Sequence, residues 1–539
     1  MSHRSTILLS IGLLLSASAG AQDSLTTHIT YDLTTEASVG SGDFTAYQLT
    51  ANRHHVMATR PNTAYLRTTV CAYHPLSTIH HPPSTIHHPL STIHHPPSTI
   101  HHPLSTLHHP PSTIHHPLST LTLVADIITS VHADHRAYLQ QCYANLTYHS
   151  FFIEAGSREE KPVLRDQRLS SGALIKGANA KPMPQIHFGT NDFWTVPFTK
   201  DWLQINFDFG YGRLLDGSYR EDAFYQASQL NAGYATDISF HQKHLYFRSN
   251  PAKRFFVTAG MEHYVQFGGK GYKRIDDVVV SKTKPSGLKA FLDVVLPLGD
   301  SKYYEHDAME DWIFGNHLGQ ISIQLGWNIN REHLIEAYVD NPFEDGSGMR
   351  KGNGWDGLWG LQYHNKANGR QYLRAAVLEY LQTTNQSGPL HWDGNDFPAP
   401  IRDQITDFVT GNDNYYNHTL YSSYTHYGMT PGSPLITSPI YNKNGVNTFI
   451  DNRVKAWHLA FEGELTHHLS YMAKGSYREG WGTYWSPLPD KHHSFDAMLQ
   501  GLYHSGPWQL SAAYAFDKGN IFGDCSTLNI KIGYHGKIL

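Results

Sequence analysis

Large apolar side chains alternate with polar or small ones along much of this chain. In residues 203–211 the odd positions hold Leu, Ile, Phe, Phe and Tyr, and the even positions hold Gln, Asn, Asp and Gly. A period of two residues is typical of a β-strand whose two faces meet different surroundings. The same alternation returns at 321–327, 457–462, 508–517 and 528–535. These five segments therefore predict strands with one apolar and one polar face.

Weaker alternation elsewhere raises the expected number of strands to about eighteen, many of them about 9–11 residues long, the length with which a tilted strand crosses a bilayer. The weaker segments include 29–39, 44–52, 64–73, 121–131, 138–149, 254–266, 371–382 and 493–504. Aromatic residues often stand near the strand ends, as an interfacial girdle requires.

A soluble β-sandwich or propeller would also alternate, because one face of each sheet packs on a core. Two details favour a membrane barrel instead. Strands of soluble sheets are usually shorter, about 5–6 residues. The polar faces here also carry Asp208, Glu462 and Lys531 at strand centres, and an aqueous lumen accommodates such charges. We therefore predict an all-β fold, a transmembrane antiparallel β-barrel of about 18 strands of the outer-membrane type.

The first 21 residues have the layout of a cleavable secretory signal. A basic start is followed by the apolar run Ile7–Leu15 and by the small residues Ala19, Gly20 and Ala21. This predicts cleavage before Gln22 and a barrel domain over 22–539 in the cell outer membrane. Mean hydropathy is -0.42, and no later stretch approaches the roughly 20 apolar residues of a membrane-crossing helix.

The net charge and the number of cysteines bear on which partners and which disulfides the protein could have. The 41 basic and 46 acidic residues give a net charge of -5, so we expect no nucleic-acid partner. Three cysteines, Cys71, Cys142 and Cys525, are widely spaced and odd in number, and we interpret them as small apolar side chains. A disulfide between Cys71 and Cys142 on neighbouring strands stays open.

The segment 75–121 repeats Ser-Thr-Ile-His-His-Pro with Pro or Leu in the seventh place. Its prolines exclude a continuous helix, so we predict an extended, disordered insertion in the hairpin between strands 64–73 and 121–131. Paired imidazoles could bind Zn²⁺ or Cu²⁺. A repeat without selected chemistry is the favoured interpretation, and we assign no metal to the first two pairs, His80, His81, His87 and His88.

Two clusters of aromatic and polar residues fall between predicted strands. Aromatic rings can stack on the apolar faces of sugars, while charged groups and amides bond to the hydroxyls. We expect external loops to bind polysaccharide through Asp345, Trp355, Trp359, Arg478, Trp481, Tyr484 and Trp485. For any single cluster taken alone, an interfacial aromatic belt with turn residues is the favoured interpretation.

Evidence for an enzyme is weak. Glycosidase chemistry needs two carboxyl groups about 5–9.5 Å apart across a bond. Adjacent acids such as Glu344 with Asp345, or Glu221 with Asp222, would point to opposite faces of a strand. No G-x-S-x-G, P-loop or H-E-x-x-H motif is present. These absences argue against a familiar class of enzyme, and we assign no catalytic residues.

Several segments, spread in order from about residue 30 to the C-terminus, resemble the Wzi-like capsule assembly proteins of Bacteroidetes-type bacteria. They are Glu36–Gly40, Asp43–Thr45, Leu49–Arg53, Gly156–Glu159, Leu169–Leu174, Asn179–Gln185, Glu344–Gly348, Trp355–Gly360, Gly432–Leu435 and Ser438–Asn442.

This resemblance implies a lectin-like outer-membrane barrel of eighteen antiparallel strands that holds capsular or exopolysaccharide at the cell surface, without an enzymatic step and without a cofactor. We expect a monomer surrounded by outer-membrane lipid and lipopolysaccharide. Two other hypotheses stay open: a channel for small solutes or glycans, and a secreted enzyme that acts on polysaccharide.

Overall fold

The computed structural model describes residues 26–78, 117–131, 136–227, 233–275, 278–296, 314–344, 346–386, 413–484 and 486–538. The predicted signal peptide, residues 1–21, lies outside these ranges. So do residues 79–116, which hold all four histidines considered as metal ligands.

Eighteen antiparallel strands form a sheet that closes on itself. Each strand pairs with its neighbours in sequence, and the first also pairs with the last, from Thr30 opposite Lys537 to Ser41 opposite Ser526. The strands are β1 His28–Ser41, β2 Thr63–Thr78, β3 Pro117–Val131, β4 Ala137–Tyr148, β5 Phe151–Ser157, β6 Gln185–Thr190, β7 Leu203–Arg213, β8 Ser239–Ser249, β9 Phe255–Phe267, β10 Asn316–Asn328, β11 His333–Phe343, β12 Gly357–Asn365, β13 Ala375–Gln382, β14 Val454–Glu464, β15 Leu469–Gly482, β16 Pro487–Ser505, β17 Trp508–Gly519 and β18 Cys525–Lys537. The predicted outer-membrane type of antiparallel barrel is confirmed.

The alternation along each strand places polar residues inside the barrel and apolar residues outside. On β1, Glu36 and Ser38 are buried, whereas Leu33 and Val39 are 40% and 68% exposed. A soluble sheet would bury its leucines and valines. The exposed apolar face is therefore the surface that the barrel presents to lipid.

The three charged residues predicted at strand centres face the lumen. Asp208 lies 2.6 Å from His187 Nδ1, and Glu462 forms an ion pair with Arg168. Lys531 lines a cavity inside the barrel. The expected water-filled interior needs correction, because loop segments occupy much of it.

The two ends of the barrel differ in their connections. One end, the short-turn end, carries turns 149–150, 250–254, 329–332, 465–468 and 506–507. The other, the long-loop end, carries connections 42–62, 158–184, 214–238, 268–315 and 383–453. The strand ends that flank residues 79–116 meet at the short-turn end, where Thr78 lies opposite Pro117.

Smaller elements decorate the connections. The helices are α1 Tyr47–Thr50, α2 Gly217–Gln226, α3 Leu288–Val295 and α4 Gly346–Met349, with a 3-10 turn at Pro439–Tyr441. Short strands form small sheets in the long loops, at Gly233–Thr236, Lys270–Ile275, Val278–Thr283, Asn417–His418 and Ser422–Ser423, while Trp194–Thr195 pairs with β7. Within the residues that the structure describes, no helix is long and apolar enough to cross a membrane.

Three loop segments, 42–62, 158–184 and 413–453, turn inward and fill the middle of the lumen; we call them the plug. A large apolar cluster joins them to the wall, with Ile175 and Tyr424 of the plug among Phe240 and Tyr264 of the strands. The Tyr424 hydroxyl donates to the Ile175 carbonyl over 2.7 Å, so two plug segments also bond to each other.

Buried carboxylates of the wall hold segment 158–184. Arg165 donates to both carboxylate oxygens of Asp340, over 2.5 and 3.0 Å. The Ser170 hydroxyl and the Ser171 amide donate to Glu379 over 2.7 and 2.6 Å. A buried charge is tolerated only when it is paired and hydrogen-bonded. These inward acids are therefore attachment points for the plug.

Segment 42–62 is held in the same way. Gln48 Nε2 donates to Asp496 over 2.6 Å, and the Tyr47 amide donates to Asp517 over 2.9 Å. The predicted strand at 44–52 is therefore wrong. Residues 46–51 are buried on all sides, and four of them form α1, because wall and loops surround this segment within the lumen.

All three cysteines are free thiols. Cys71 is on β2 and Cys142 on β4, and β3 separates them. The possible pairing of these two cysteines on neighbouring strands is thus wrong.

Candidate functional site

A cavity of 850 Å³ lies at the long-loop end, between the plug, α2 and the ends of β2 to β4 on that side of the barrel. We call it the upper cavity. Its aromatic lining is Phe44, Tyr65, Tyr138, Tyr219 and Tyr427. Its polar lining includes Asp43, Arg60, Lys181, Asp222, Gln226, Asn442, Lys443 and Asn447.

Loop contacts fix Tyr427 at the side of this cavity. Its amide donates to Asp216 Oδ2 over 3.0 Å, and its hydroxyl donates to the Leu215 carbonyl over 3.1 Å. Burial raises the pKa of the Tyr427 hydroxyl above its ordinary value. The ring is therefore an uncharged surface whose orientation is set by two hydrogen bonds.

Two of these aromatic side chains flank one lysine, and a third contacts one of the two. Lys181 Nζ lies 4.1 Å from the ring centre of Tyr138 and 4.9 Å from that of Tyr427. The rings of Tyr427 and Tyr219 are 6.3 Å apart at 61°. Cation–π attraction holds a lysine over aromatic faces. The ammonium group of Lys181 therefore lies beside the rings of Tyr138 and Tyr427.

Charged and amide groups complete the rim of the upper cavity. Lys443 and Asp43 form an ion pair of 2.6 Å, and both side chains are mostly exposed. Asp222 and Gln226 are exposed on α2. Ring faces beside amides and charged groups are suited to sugars, which have apolar faces and many hydroxyls. The arrangement is thus one for non-covalent recognition.

A second cavity of 420 Å³ lies at the short-turn end, below the plug, and we call it the lower cavity. Its lining includes three ion pairs: Arg53 with Glu36 and Arg374 with Glu464, each at 2.8 Å, and Arg168 with Glu462. Lys474 and Lys531 add two further positive charges.

Trp355 and Trp359 contact each other, with ring centres 5.4 Å apart. Trp355 is 70% exposed in the connection before β12. Trp359 lies in β12 itself, between Val339 and Tyr380 of the neighbouring strands and two residues from the exposed Leu361. It therefore faces outward, where the alternative of an interfacial belt places it.

The sequence predicted Arg478 in an external loop, and this prediction is wrong. Arg478 lies in β15, is fully buried, and bonds to Asp496 over 3.0 Å. Its guanidinium also lies 3.9 Å from the ring centre of Tyr47 and 4.8 Å from that of Phe522. Arg478 therefore clamps the plug to the wall and is closed to an external ligand.

Trp481 is in β15 with its ring 5.8 Å from Lys455 Nζ and 5.7 Å from Lys491 Nζ. Tyr484 follows in the connection to β16 and is partly exposed. Within the described ranges, no hydrogen bond or ring contact joins Trp481 to the Trp355–Trp359 pair. The structure thus separates these groups. Asp345 and Trp485 lie outside the described residues.

Sequence reasoning missed the tyrosines of the upper cavity. These residues are far apart in the chain: more than 80 positions separate Tyr138 from Tyr219, and about 200 separate Tyr219 from Tyr427. No local sequence motif therefore joins them. A signal was nevertheless present. Two segments quoted for the family resemblance, Asp43–Thr45 and Ser438–Asn442, both contribute lining residues.

No group of three or more His, Cys, Asp or Glu side chains that could hold a metal ion occurs in the part of the chain that the structure describes. The paired histidines of the repeat lie outside that part.

No protein-family model matches the chain, and no curated protein matches it in sequence. Among solved structures, it is similar to Wzi, an outer membrane protein involved in group 1 capsule assembly in Escherichia coli and described as a carbohydrate-binding β-barrel. The TM-score is 0.51 at 10% identity, over 93% of this chain and 83% of Wzi.

Two other solved structures match over most of their length. Pseudomonas aeruginosa OccK5 has a TM-score of 0.43 at 9% identity, over 95% of this chain and 98% of that one. Acinetobacter baumannii OccAB2 has a TM-score of 0.44 at 11% identity, with the same coverage. At such low identities, these similarities concern the fold alone.

Proposed function

We propose that this protein is an outer-membrane barrel that holds a capsular or exopolysaccharide at the cell surface through the upper cavity. The observation that carries the proposal is the group formed by Tyr138, Tyr219, Tyr427 and Lys181, beside the amides and acids of the rim. Longer loops of bacterial outer-membrane barrels are extracellular, so this cavity would open to the outside.

The plug supports binding over transport. Segments 42–62, 158–184 and 413–453 occupy the lumen between the two cavities and are bonded to the wall. A channel for small solutes needs a continuous aqueous path, so we expect the intact barrel to pass little current in planar bilayers. The proposal includes no catalytic step and treats the barrel as a monomer in lipid and lipopolysaccharide.

Four of the seven residues that the sequence suggested for polysaccharide binding have different roles in this proposal. Trp355 is exposed beside the long loops and stays a candidate for sugar stacking. Trp359 and Trp481 project from strands, where a role at the lipid interface is the better interpretation. Arg478 acts on the polysaccharide only indirectly, by holding the plug.

The test measures binding of purified protein in lipid nanodiscs to capsular polysaccharide from the producing cell. We expect the double variant Tyr138→Ala, Tyr219→Ala to bind at least tenfold more weakly, since a stacked ring contributes about 1 kcal/mol or more. Tyr372→Ala is the matched control, because Tyr372 is 61% exposed at the short-turn end.

Heat-modified migration in gels verifies that each variant is a folded barrel. Equal binding by the double variant and the control would contradict the proposed site. A steady single-channel current from the unaltered protein would favour the channel instead, and release of shorter glycans from the polymer would favour an enzyme.

A further inference from the structure

Helix α3, Leu288–Val295, lies on the outer surface of the barrel. Its Phe291 ring packs against Phe209 and Tyr211 of β7, with ring centres 6.0 and 5.4 Å apart. Both belong to the outward set of their strand, since the alternate residues Asn206 and Asp208 are buried toward the lumen. The helix therefore covers a part of the wall that would otherwise face lipid.

The wall beneath and beside α3 is unusually polar for such a surface. His241 and Lys243 occupy outward positions on β8, in line with the exposed Leu245 and Phe247. His241 is fully buried, and its ring lies 5.3 Å from that of Phe291. Lys243 Nζ donates to the carbonyl oxygen of Val295 at the end of the helix. Polar side chains are unfavourable on the lipid face of a barrel, and α3 shields these two.

The helix has two distinct faces. Ala290 and Val294 are buried against Val265 and Phe267 of β9. On the opposite face, Leu288, Leu292 and Leu296 are 73%, 54% and 62% exposed. A spacing of four residues places the three leucines in one stripe along the helix. The helix thus covers a polar part of the wall and presents an apolar surface in its place.

We propose that α3 lies in the membrane and that this leucine stripe contacts lipid acyl chains. The stripe is continuous with the lipid-facing wall, because the helix packs directly on β7, β8 and β9. Nearer the short-turn end, the outward residues of β8 and β9 include the exposed Leu245, Phe247 and Val257. Two other occupants, water and a second protein surface, are outcomes of the test. The inference depends on the barrel fold and not on the proposed polysaccharide.

The experiment places a nitroxide spin label at position 292 by Leu292→Cys, with Cys71, Cys142 and Cys525 each replaced by Ala. The labelled protein is reconstituted in phospholipid vesicles, and collisions with oxygen and with a water-soluble nickel chelate are measured. Two controls have the same 54% exposure as Leu292: Leu325→Cys on the lipid face of β10, and Tyr225→Cys on α2.

We expect the label at 292 to behave as at 325, with frequent oxygen collisions and several-fold fewer nickel collisions than at 225. Nickel collisions equal to those at 225 would place the helix in water. Protection from both reagents would show a protein covering the stripe. Either result overturns the proposal.

A second measurement leaves the cysteines in place. A photoreactive benzoylphenylalanine at position 292 is irradiated in vesicles that contain a clickable phosphatidylcholine. A lipid adduct at 292 and none at 225 supports the proposal, whereas equal labelling at the two positions contradicts it.

Discussion

The two cavities of the lumen are built in different ways. Loops supply much of the upper cavity, and they contribute tyrosines, amides and few fixed ion pairs. Strands of the wall supply most of the lower cavity, and its charges are largely paired with each other. Wall positions are set by the register of the barrel, whereas loop positions can vary without disturbing it. The recognition proposed above therefore falls at the loop end, and the plug lies between the two spaces.

We expect the largest effect on stability and on ion conductance from loosening the plug that lies between the two cavities. Arg478→Met leaves the buried Asp496 without its cation, which costs about 3–5 kcal/mol for a buried pair. We expect a lower unfolding temperature and an ion current through the loosened plug, measured by thermal unfolding and in planar bilayers.

Arg213→Met is the control for this change. Arg213 forms a 2.7 Å pair with Asp237, but both side chains are more than half exposed, so its loss costs about 0–1 kcal/mol. Similar changes in stability and current for the two variants would show that Arg478 has no special role in the plug.

A smaller effect would sharpen the assignment of recognition to the upper cavity. Lys181→Met keeps a long apolar side chain over Tyr138 and Tyr427 but removes the ammonium group. We expect threefold to tenfold weaker binding of an acidic polysaccharide, in keeping with about 1 kcal/mol for one such contact. Titration calorimetry measures the change.

A neutral polysaccharide provides the comparison for Lys181→Met, because it should bind almost as well to the variant as to the parent. An equal loss for both polymers would mean that the substitution disturbs the cavity instead of removing a charge contact.

The smallest effect concerns the plug in acid. Burial lowers the pKa of His54 and of His426, so their unfolded forms take up protons first and plug stability falls as pH drops below about 6.5. Asp356 lies directly before β12, outside the plug, and accepts a hydrogen bond from Tyr415 of the plug. It acts with the opposite sign, because burial raises its pKa to about 6. From His54, His426 and Asp356 together we expect a net loss of about 1 kcal/mol between pH 7 and 5.5.

Thermal unfolding at the two pH values measures this loss. Asp356→Asn removes the opposing contribution, so the variant should lose more stability over the same interval than the parent does. If the variant depended less on pH than the parent, the histidines and Asp356 could not act with opposite signs.

Most of the barrel was predictable from the sequence, because alternation survives wherever a strand has lipid on one side and polar groups on the other. The segments around Phe207, Leu325 and Leu510 lie in strands as expected. The failure at 44–52 has the opposite cause. That segment is surrounded on all sides within the lumen, so its periodicity carries no information about faces.

The candidate site was less predictable. Tryptophans such as Trp359 and Trp481 suit both sugar stacking and a lipid interface, and only the direction of the strand distinguishes the two. Arg478 was chosen for its charge, but its burial depends on Tyr47 and Phe522, which are distant in the chain. The tyrosines of the upper cavity meet only after the loops fold.

The pairing between β2 and β3 continues past Pro75 and Thr120 to Thr78 and Pro117. The predicted insertion at 75–121 is therefore too long, because residues 75–78 and 117–121 belong to β2 and β3. Strand spacing fixes the distance between Thr78 and Pro117, where the rest of the histidine-rich repeat leaves and rejoins the barrel. Gain or loss of whole heptapeptide copies would leave every hydrogen bond of the sheet in register. Doubling the length of a flexible loop costs only about 0.6 kcal/mol in loop-closure entropy, and a flexible loop is what the prolines of the repeat predict. Copy number could thus drift between strains with almost no effect on folding.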